Sequence, residues 1–255
     1  MPHQTRTAAH RPPEEAHAKQ LLAALHAVYK RRKQLTAFKE EGPIYALLLP
    51  RLIRDLRHTY SIVRPLPVLG STATVWELRD TKIGQKRALK LPRPRLSRLT
   101  DIIRVIRAEA KRLAALNHQN IVKIYSVGEL ALTRGKAKYL FPYFIMEFLK
   151  GVQDLGDYID DHSHTCSGET LIGYFRDILD GLSYLHANGI VHCDIKPGNI
   201  LIPPGGRPAL ITDFGYAKAF PRSGDPSKRT DVTFTLDYAH PQLRDSIVGE
   251  LWHPI

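Results

Sequence analysis

Residues 191–201 read VHCDIKPGNIL and residues 211–218 read ITDFGYAK. This pair of stretches limits what the chain can become more than any other feature. A histidine, two charges, an asparagine, a proline and a glycine sit between apolar, strand-like ends. Asp194 follows His192 by two residues and precedes Asn199 by five, and Asp213 comes nineteen residues after Asp194. Carboxylates and an amide oxygen are hard ligands that suit Mg²⁺, which takes one or two protein oxygens beside phosphate oxygens and water. Lys196 lies between them in sequence, where it could steady a transferring phosphoryl group. Phosphoryl transfer needs mainly positioning and charge neutralisation, and these residue types supply both. A buried loop whose carboxylates cap helices would account for a single aspartate, but not for six specified residues followed by Asp-Phe-Gly.

The pattern H-x-D-x-K-x-x-N followed by D-F-G resembles the catalytic loop and metal-binding motif of eukaryotic-type serine/threonine protein kinases. That resemblance covers residues 61–255. It implies an α+β, two-lobed fold: a small five-stranded antiparallel lobe with one helix, and a mainly helical, incomplete large lobe. It implies ATP and Mg²⁺ as cofactors and a protein as substrate. Asp194 would orient the acceptor hydroxyl and take its proton, while Asn199 and Asp213 would hold Mg²⁺. Lys196 would contact the γ-phosphate; its position favours serine/threonine over tyrosine specificity. Upstream, Lys90 in RALKL resembles the strand lysine that holds the α- and β-phosphates, and Glu109 in RAEAKRL the helix glutamate that pairs with it. Val75 and Ala88 resemble the apolar contacts above the adenine and Leu201 the one beneath. In FIMEFLKG, residues 144–151, Met146 would be the gatekeeper, and the backbone of Glu147 and Leu149 would bond the adenine. His192, Phe214, Leu113 and Ile124 match the family's internal hydrophobic stack.

The chain also departs from that pattern. VLGSTATV keeps only Gly70 where the family has three glycines, so close backbone approach to the phosphates is expected to be weaker. Cys193 stands where the family has an arginine that pairs with a phosphorylated activation segment, so that switch is not expected; the thiol itself reads as a small buried hydrophobe. In TLDYAHPQ, residues 235–242, Thr235 and Tyr238 match the end of the activation segment, whereas Gln242 replaces a glutamate. The chain stops 13 residues after Gln242, where the family continues with further helices, so an apolar face is expected to be left exposed. HSHTC, residues 162–166, fits no standard zinc spacing and reads as an exposed linker.

Residues 1–60 match nothing nameable. They read as a basic helical extension: a helix over 14–40, a break at Gly42 and Pro43, and a second helix over about 44–58. They hold half of the chain's net charge of +12, and are expected to pack on the small lobe or to meet a partner or an anionic surface. The small ATP-binding lobe is then expected over 61–150 and the catalytic lobe over 151–255, with a long helix over 169–189 that places Leu171, Ile172, Phe175, Ile178, Leu179, Leu182 and Leu185 on one broad face and ends at Gly189. No aromatics alternate with the charges as nucleic-acid binding favours. The longest strongly apolar run, IYALLLP, is far below the ~20 residues of a membrane span. Two cysteines give no disulfide framework and fit a reducing cytoplasm. Two other functions compete with a protein kinase: a small-molecule phosphotransferase of the aminoglycoside or choline kinase type, and a pseudokinase scaffold.

Overall fold

The structure, a computed structural model, describes residues 13–69, 73–94, 113–134, 137–206, 208–214 and 218–219. The chain divides into two compact units, Met1–Thr100 with Val127–Phe148, and Asp101–Ser126 with Leu149–Ile255.

The first unit opens with helices α1 (Pro13–Arg31) and α2 (Leu35–Leu56). Glu14 and Glu15 in the first turn of α1 and Lys30 and Arg31 in its last oppose the helix dipole. The break between the helices falls at residues 32–34, where Lys33 adopts φ 55°, and not at Gly42 and Pro43, which lie inside α2. Gly42 is there for packing. A Cβ would come 2.9 Å from the Phe38 ring, and that ring rests on His26 and Tyr29 at centroid distances of 4.8 and 5.2 Å. Pro43 faces solvent, where losing one helical hydrogen bond costs least.

The expected five strands follow: β1 (Tyr60–Leu69), β2 (Ala73–Asp80), β3 (Lys86–Pro92), β4 (Ile124–Arg134) and β5 (Ala137–Glu147), in the order β1-β2-β3-β5-β4. The β1–β2, β2–β3 and β3–β5 pairs are antiparallel. Register fixes the faces, because side chains alternate along a strand and directly paired residues share a side. Val75 pairs with Lys90, Glu77 with Ala88, Ala88 with Met146 and Lys90 with Phe144, so these six share one face. Thr74, Trp76, Leu78, Leu89, Leu91 and Ile145 share the other, and all six are buried. Helix α2 lies on that second face: Tyr45 meets Trp76 at 6.3 Å between rings, and its hydroxyl is 3.1 Å from Thr74 Oγ1. The extension therefore packs on the small sheet.

The second unit contains β6 (Gln153–Asp154), α3 (Leu155–Asp161), α4 (Gly168–Ala187), β7 (Ile190–Val191), a 3₁₀ turn (Pro197–Asn199), β8 (Ile200–Ile202), β9 (Leu210–Ile211) and β10 (Lys218–Ala219). Small sheets form in the order β6-β8-β9 and between β10 and β7. Asp154 caps α3 by accepting from Asp157 N, and Ser167 caps α4 by accepting from Thr170 N. Gly189, at φ 70°, terminates α4, as its position suggested. The broad apolar face of α4 is largely exposed, in line with the exposed apolar face expected for this lobe. Gly173, Tyr174, Asp177, Gly181 and Leu185 are buried, whereas Leu171, Ile172, Phe175 and Leu179 are 40–63 % exposed. On the buried side Gly181 admits close neighbours and Asp177 meets the backbone donor of Ala209. Residues 162–167 link α3 to α4, with His162 stacked on Tyr158 at 4.3 Å. Among the described residues no helix is long and apolar enough to cross a membrane.

Candidate active site

The polar segment leaves β7 through His192. The backbone N–H of Asp194 donates to His192 Nδ1 at 3.3 Å, so Nδ1 acts as the acceptor. The proton then sits on Nε2 and is donated to the carbonyl of Thr212 at 2.8 Å. The imidazole packs against Phe214 at 5.2 Å. His192 is thus a buried strut joining this loop to the Thr212–Phe214 segment.

Asp194 and Asn199 are both buried. The Asn199 amide nitrogen donates to the Asp194 carbonyl at 2.7 Å and to Asp194 Oδ2 at 2.9 Å. Lys196 Nζ reaches the same Oδ2 at 2.9 Å, with its side chain 25 % exposed against 3 % for Asp194. One carboxylate is therefore held by a cation and an amide, with the cation open to solvent on one side. Pro197 opens the 3₁₀ turn, where its missing N–H costs nothing. Asn199 N closes the turn on Lys196 O at 2.9 Å, and Thr212 N donates to Asn199 O at 2.9 Å. That last bond brings Asp213, one residue on, beside Asn199.

Two residues here adopt left-handed backbone without being glycine: Cys193 at φ 63° and Asp213 at φ 67°. Each costs about 1 kcal/mol or more. The thiol of Cys193 lies 3.6 Å from the Val191 carbonyl and is half-buried.

Residues with no sequence signature hold this arrangement from behind. Ile211 donates its N–H to Asn120 O at 2.8 Å, and its carbonyl accepts from Val122 N at 2.9 Å. Asn120 Nδ2 donates to Ala209 O at 3.1 Å, and Ala209 N donates to Asp177 Oδ2 at 2.9 Å. Strand β9 is gripped on both edges just before Asp213. Asp177 sits among apolar residues of a helix and Asn120 in a loop; neither position announces its partner in sequence.

In the first unit, Lys90 projects half-buried from β3 on the face it shares with Val75, Ala88 and Met146. Glu147 ends β5 opposite Arg87. Glu77, on the same face, is 3 % exposed and binds Lys86 Nζ at 2.7 Å and Arg64 Nε at 2.9 Å. Burial pushes its carboxyl up, but the hydrogen bonds and charges of Lys86 and Arg64 outweigh burial and hold it below the usual carboxylate value. Leu149 and Leu201 belong to the second unit, each half-buried, the latter on β8. Gly70, Glu109, Thr235, Tyr238 and Gln242 lie outside the described residues.

The donor set can be tested against Mg²⁺. Asn199 spends its amide nitrogen on Asp194, which leaves Oδ1 as the ligand atom, and Asp213 supplies a carboxylate from the adjoining segment. Two protein oxygens of this kind fit a cation that keeps phosphate and water in its remaining positions.

The protein kinase domain family model matches residues 69–246. Serine/threonine-protein kinase PknA of Mycobacterium tuberculosis is 35 % identical over 175 residues, which is 67 % of this chain and 38 % of that protein. Probable serine/threonine-protein kinase PknB of Bifidobacterium longum is 35 % identical over 179 residues, 68 % of this chain and 25 % of the relative. PknB of M. tuberculosis is 32 % identical over 177 residues, 68 % and 27 % respectively. The chain belongs to the protein kinase family, and the relatives it matches are serine/threonine protein kinases. It spans between a quarter and two-fifths of the length of these relatives.

Proposed function

We propose that this chain transfers the γ-phosphate of ATP to serine or threonine hydroxyls of protein substrates, with Mg²⁺, in the cytoplasm. The observation that carries the reading is the Asp194–Lys196–Asn199 cluster, tied through Asn199 O to the segment bearing Asp213. Asp194, held by Lys196 and Asn199, orients the acceptor hydroxyl and receives its proton. Lys196, with its solvent-facing side, meets the γ-phosphate, and Lys90 the α- and β-phosphates. Val75, Ala88, Met146 and Leu201 offer apolar surface for the adenine, and the backbone of Glu147 and Leu149 offers its hydrogen bonds. Asn199 Oδ1 and Asp213 hold Mg²⁺, which when bound neutralises charge on the phosphate oxygens. The cytoplasmic placement is supported by both cysteines being free.

Labelled γ-phosphate transfer to a generic protein acceptor tests the reading, with Asp194→Ala beside the wild type. Label on serine or threonine that disappears in the variant is expected. A folded wild-type chain that binds ATP and transfers nothing would refute it, and transfer to amino sugars or small alcohols alone would replace it with the small-molecule reading.

A further inference from the structure

We propose that the N-terminal helices position the ATP-binding strands: Glu41 and Arg93, with Tyr45 and Thr74, hold β2 and β3 so that Val75 and Lys90 meet the nucleotide in register. This inference rests on the kinase function proposed above.

Glu41 of α2 and Arg93, three residues beyond Lys90, have side chains only 2 % exposed. Arg93 Nε donates to both Glu41 oxygens, at 3.1 and 2.9 Å. Its Nη1 donates to Gln34 Oε1 at 2.9 Å, and its guanidinium lies 5.1 Å over the Tyr29 ring. The Tyr29 hydroxyl donates to Glu41 Oε2. Tyr29, Gln34 and Glu41 of the extension and Arg93 just beyond β3 thus form one polar cluster of four residues.

A second set of bonds runs to Thr74. Its hydroxyl donates to Leu91 O at 3.3 Å and accepts from Trp76 Nε1 at 3.0 Å. With the Thr74 proton committed to Leu91, the hydrogen bond at 3.1 Å is donated by the Tyr45 hydroxyl. Thr74 and Leu91 directly precede and follow Val75 and Lys90, and they point to the opposite face of the sheet. Neighbours on a strand share one backbone, so fixing one pair from behind fixes the other in front. Arg32 Nε also bonds Pro67 O at 3.0 Å. The strands on both sides of residues 70–72, the stretch with a single glycine, are therefore each tied to the extension.

The choice of an ion pair separates positioning from simple stabilisation. A buried pair of charges gives no more stability than apolar residues of similar volume, and often less. It does fix geometry, because the guanidinium is held at three points, Nε on Glu41, Nη1 on Gln34 and its face on the Tyr29 ring.

The test uses the full chain and three variants: Glu41→Gln, the apolar double replacement Glu41→Met with Arg93→Met, and the near-isosteric Tyr45→Phe. Thermal unfolding, the Kd for a fluorescent ATP analogue, and KM for ATP and for a generic protein acceptor are measured on each. The double replacement is expected to unfold within a few degrees of wild type yet bind the analogue about tenfold more weakly, a loss of ~1.4 kcal/mol of binding free energy. KM for ATP should rise in parallel and KM for the acceptor should stay. Glu41→Gln should lose both stability and affinity, because it leaves a buried cation unbalanced. Tyr45→Phe should lose affinity by a smaller factor. A folded double variant, or Tyr45→Phe, with analogue Kd within twofold of wild type overturns the positioning role. A wild-type chain that binds no nucleotide refutes the proposed function itself, and the positioning role falls with it.

Discussion

Replacing Gly181 with alanine should destabilise this chain, against the usual trend. Glycine in a helix interior ordinarily costs about 0.5–1 kcal/mol relative to alanine, so Gly181→Ala would gain that much at an open site. Here the new Cβ would stand 2.8 Å from Ile211 Cδ1, 3.1 Å from the Asn120 carbonyl oxygen and 3.3 Å from Asn120 Cβ. Favourable carbon–carbon contacts lie at about 3.5–4.0 Å. The Asn120 carbonyl is backbone and bonded to Ile211 N, so it does not shift freely, and the Ile211 Cδ1 methyl must turn away inside a filled core, since Ile211 and Asn120 are both 0 % exposed. Overpacking of this kind costs about 1–3 kcal/mol, which exceeds the propensity gain and leaves a net loss of about 1 kcal/mol. For a chain of this size that lowers Tm by roughly 2–4 °C. The first residue of the same helix is the internal control. Around Gly168 nothing lies within 4 Å of the position a Cβ would take, so Gly168→Ala should be neutral or stabilising by a few tenths of a kcal/mol. Thermal and urea unfolding of both variants beside the wild type give the signs. A Gly181→Ala chain as stable as wild type would refute the close-packing argument, as would equal losses at the two sites.

Two further outcomes follow from single contacts. Asp177→Ala leaves the buried N–H of Ala209 without its acceptor, and should lower the free energy of unfolding by about 1–3 kcal/mol, read as a lower urea midpoint at unchanged slope. The Glu77 carboxyl has a folded-state pKa held below its unfolded value by Lys86 and Arg64. Its contribution to stability is therefore complete above the ordinary glutamate value and is lost as pH falls through the lowered one. Glu77→Gln should flatten the acid limb of a Tm-against-pH curve; an unchanged limb would contradict the assignment.

The sequence announced the catalytic segment and left its supports silent, for physical reasons that particular residues make plain. Phosphoryl transfer asks for a carboxylate, a cation and an amide at fixed spacing, so Asp194, Lys196 and Asn199 stand out from their own order. The five strands were visible in β-prone runs between turn residues. Glu41 and Arg93 are 52 positions apart, and no local pattern links a glutamate in one helix to an arginine after a distant strand. Gly42 and Pro43 look like a helix stop because their intrinsic propensities are poor. The Phe38 ring needs the space a side chain at 42 would fill, and this tertiary fit overrides propensity. On α4 the positions that pack include Gly181 and Asp177, whose partners Ile211 and Ala209 no local pattern names, while Leu171, Ile172, Phe175 and Leu179 stay exposed.

The two left-handed residues show how the site holds costly backbone in place. Cys193 lies between His192, whose ring is bonded to Thr212 O, and Asp194, whose N–H is bonded to that same ring. Asp213 lies between Thr212, whose N–H is bonded to Asn199 O, and Phe214, which packs on His192. Each strained residue is thus flanked on both sides by fixed neighbours, and His192 takes part in both clamps. Glycine would occupy either conformation at less cost. At 213 glycine would also remove the carboxylate that the proposed function assigns to Mg²⁺. The strain there is offset by the bonds of its two neighbours. Asn199, whose carbonyl fixes Thr212, thus belongs to the clamp on Asp213.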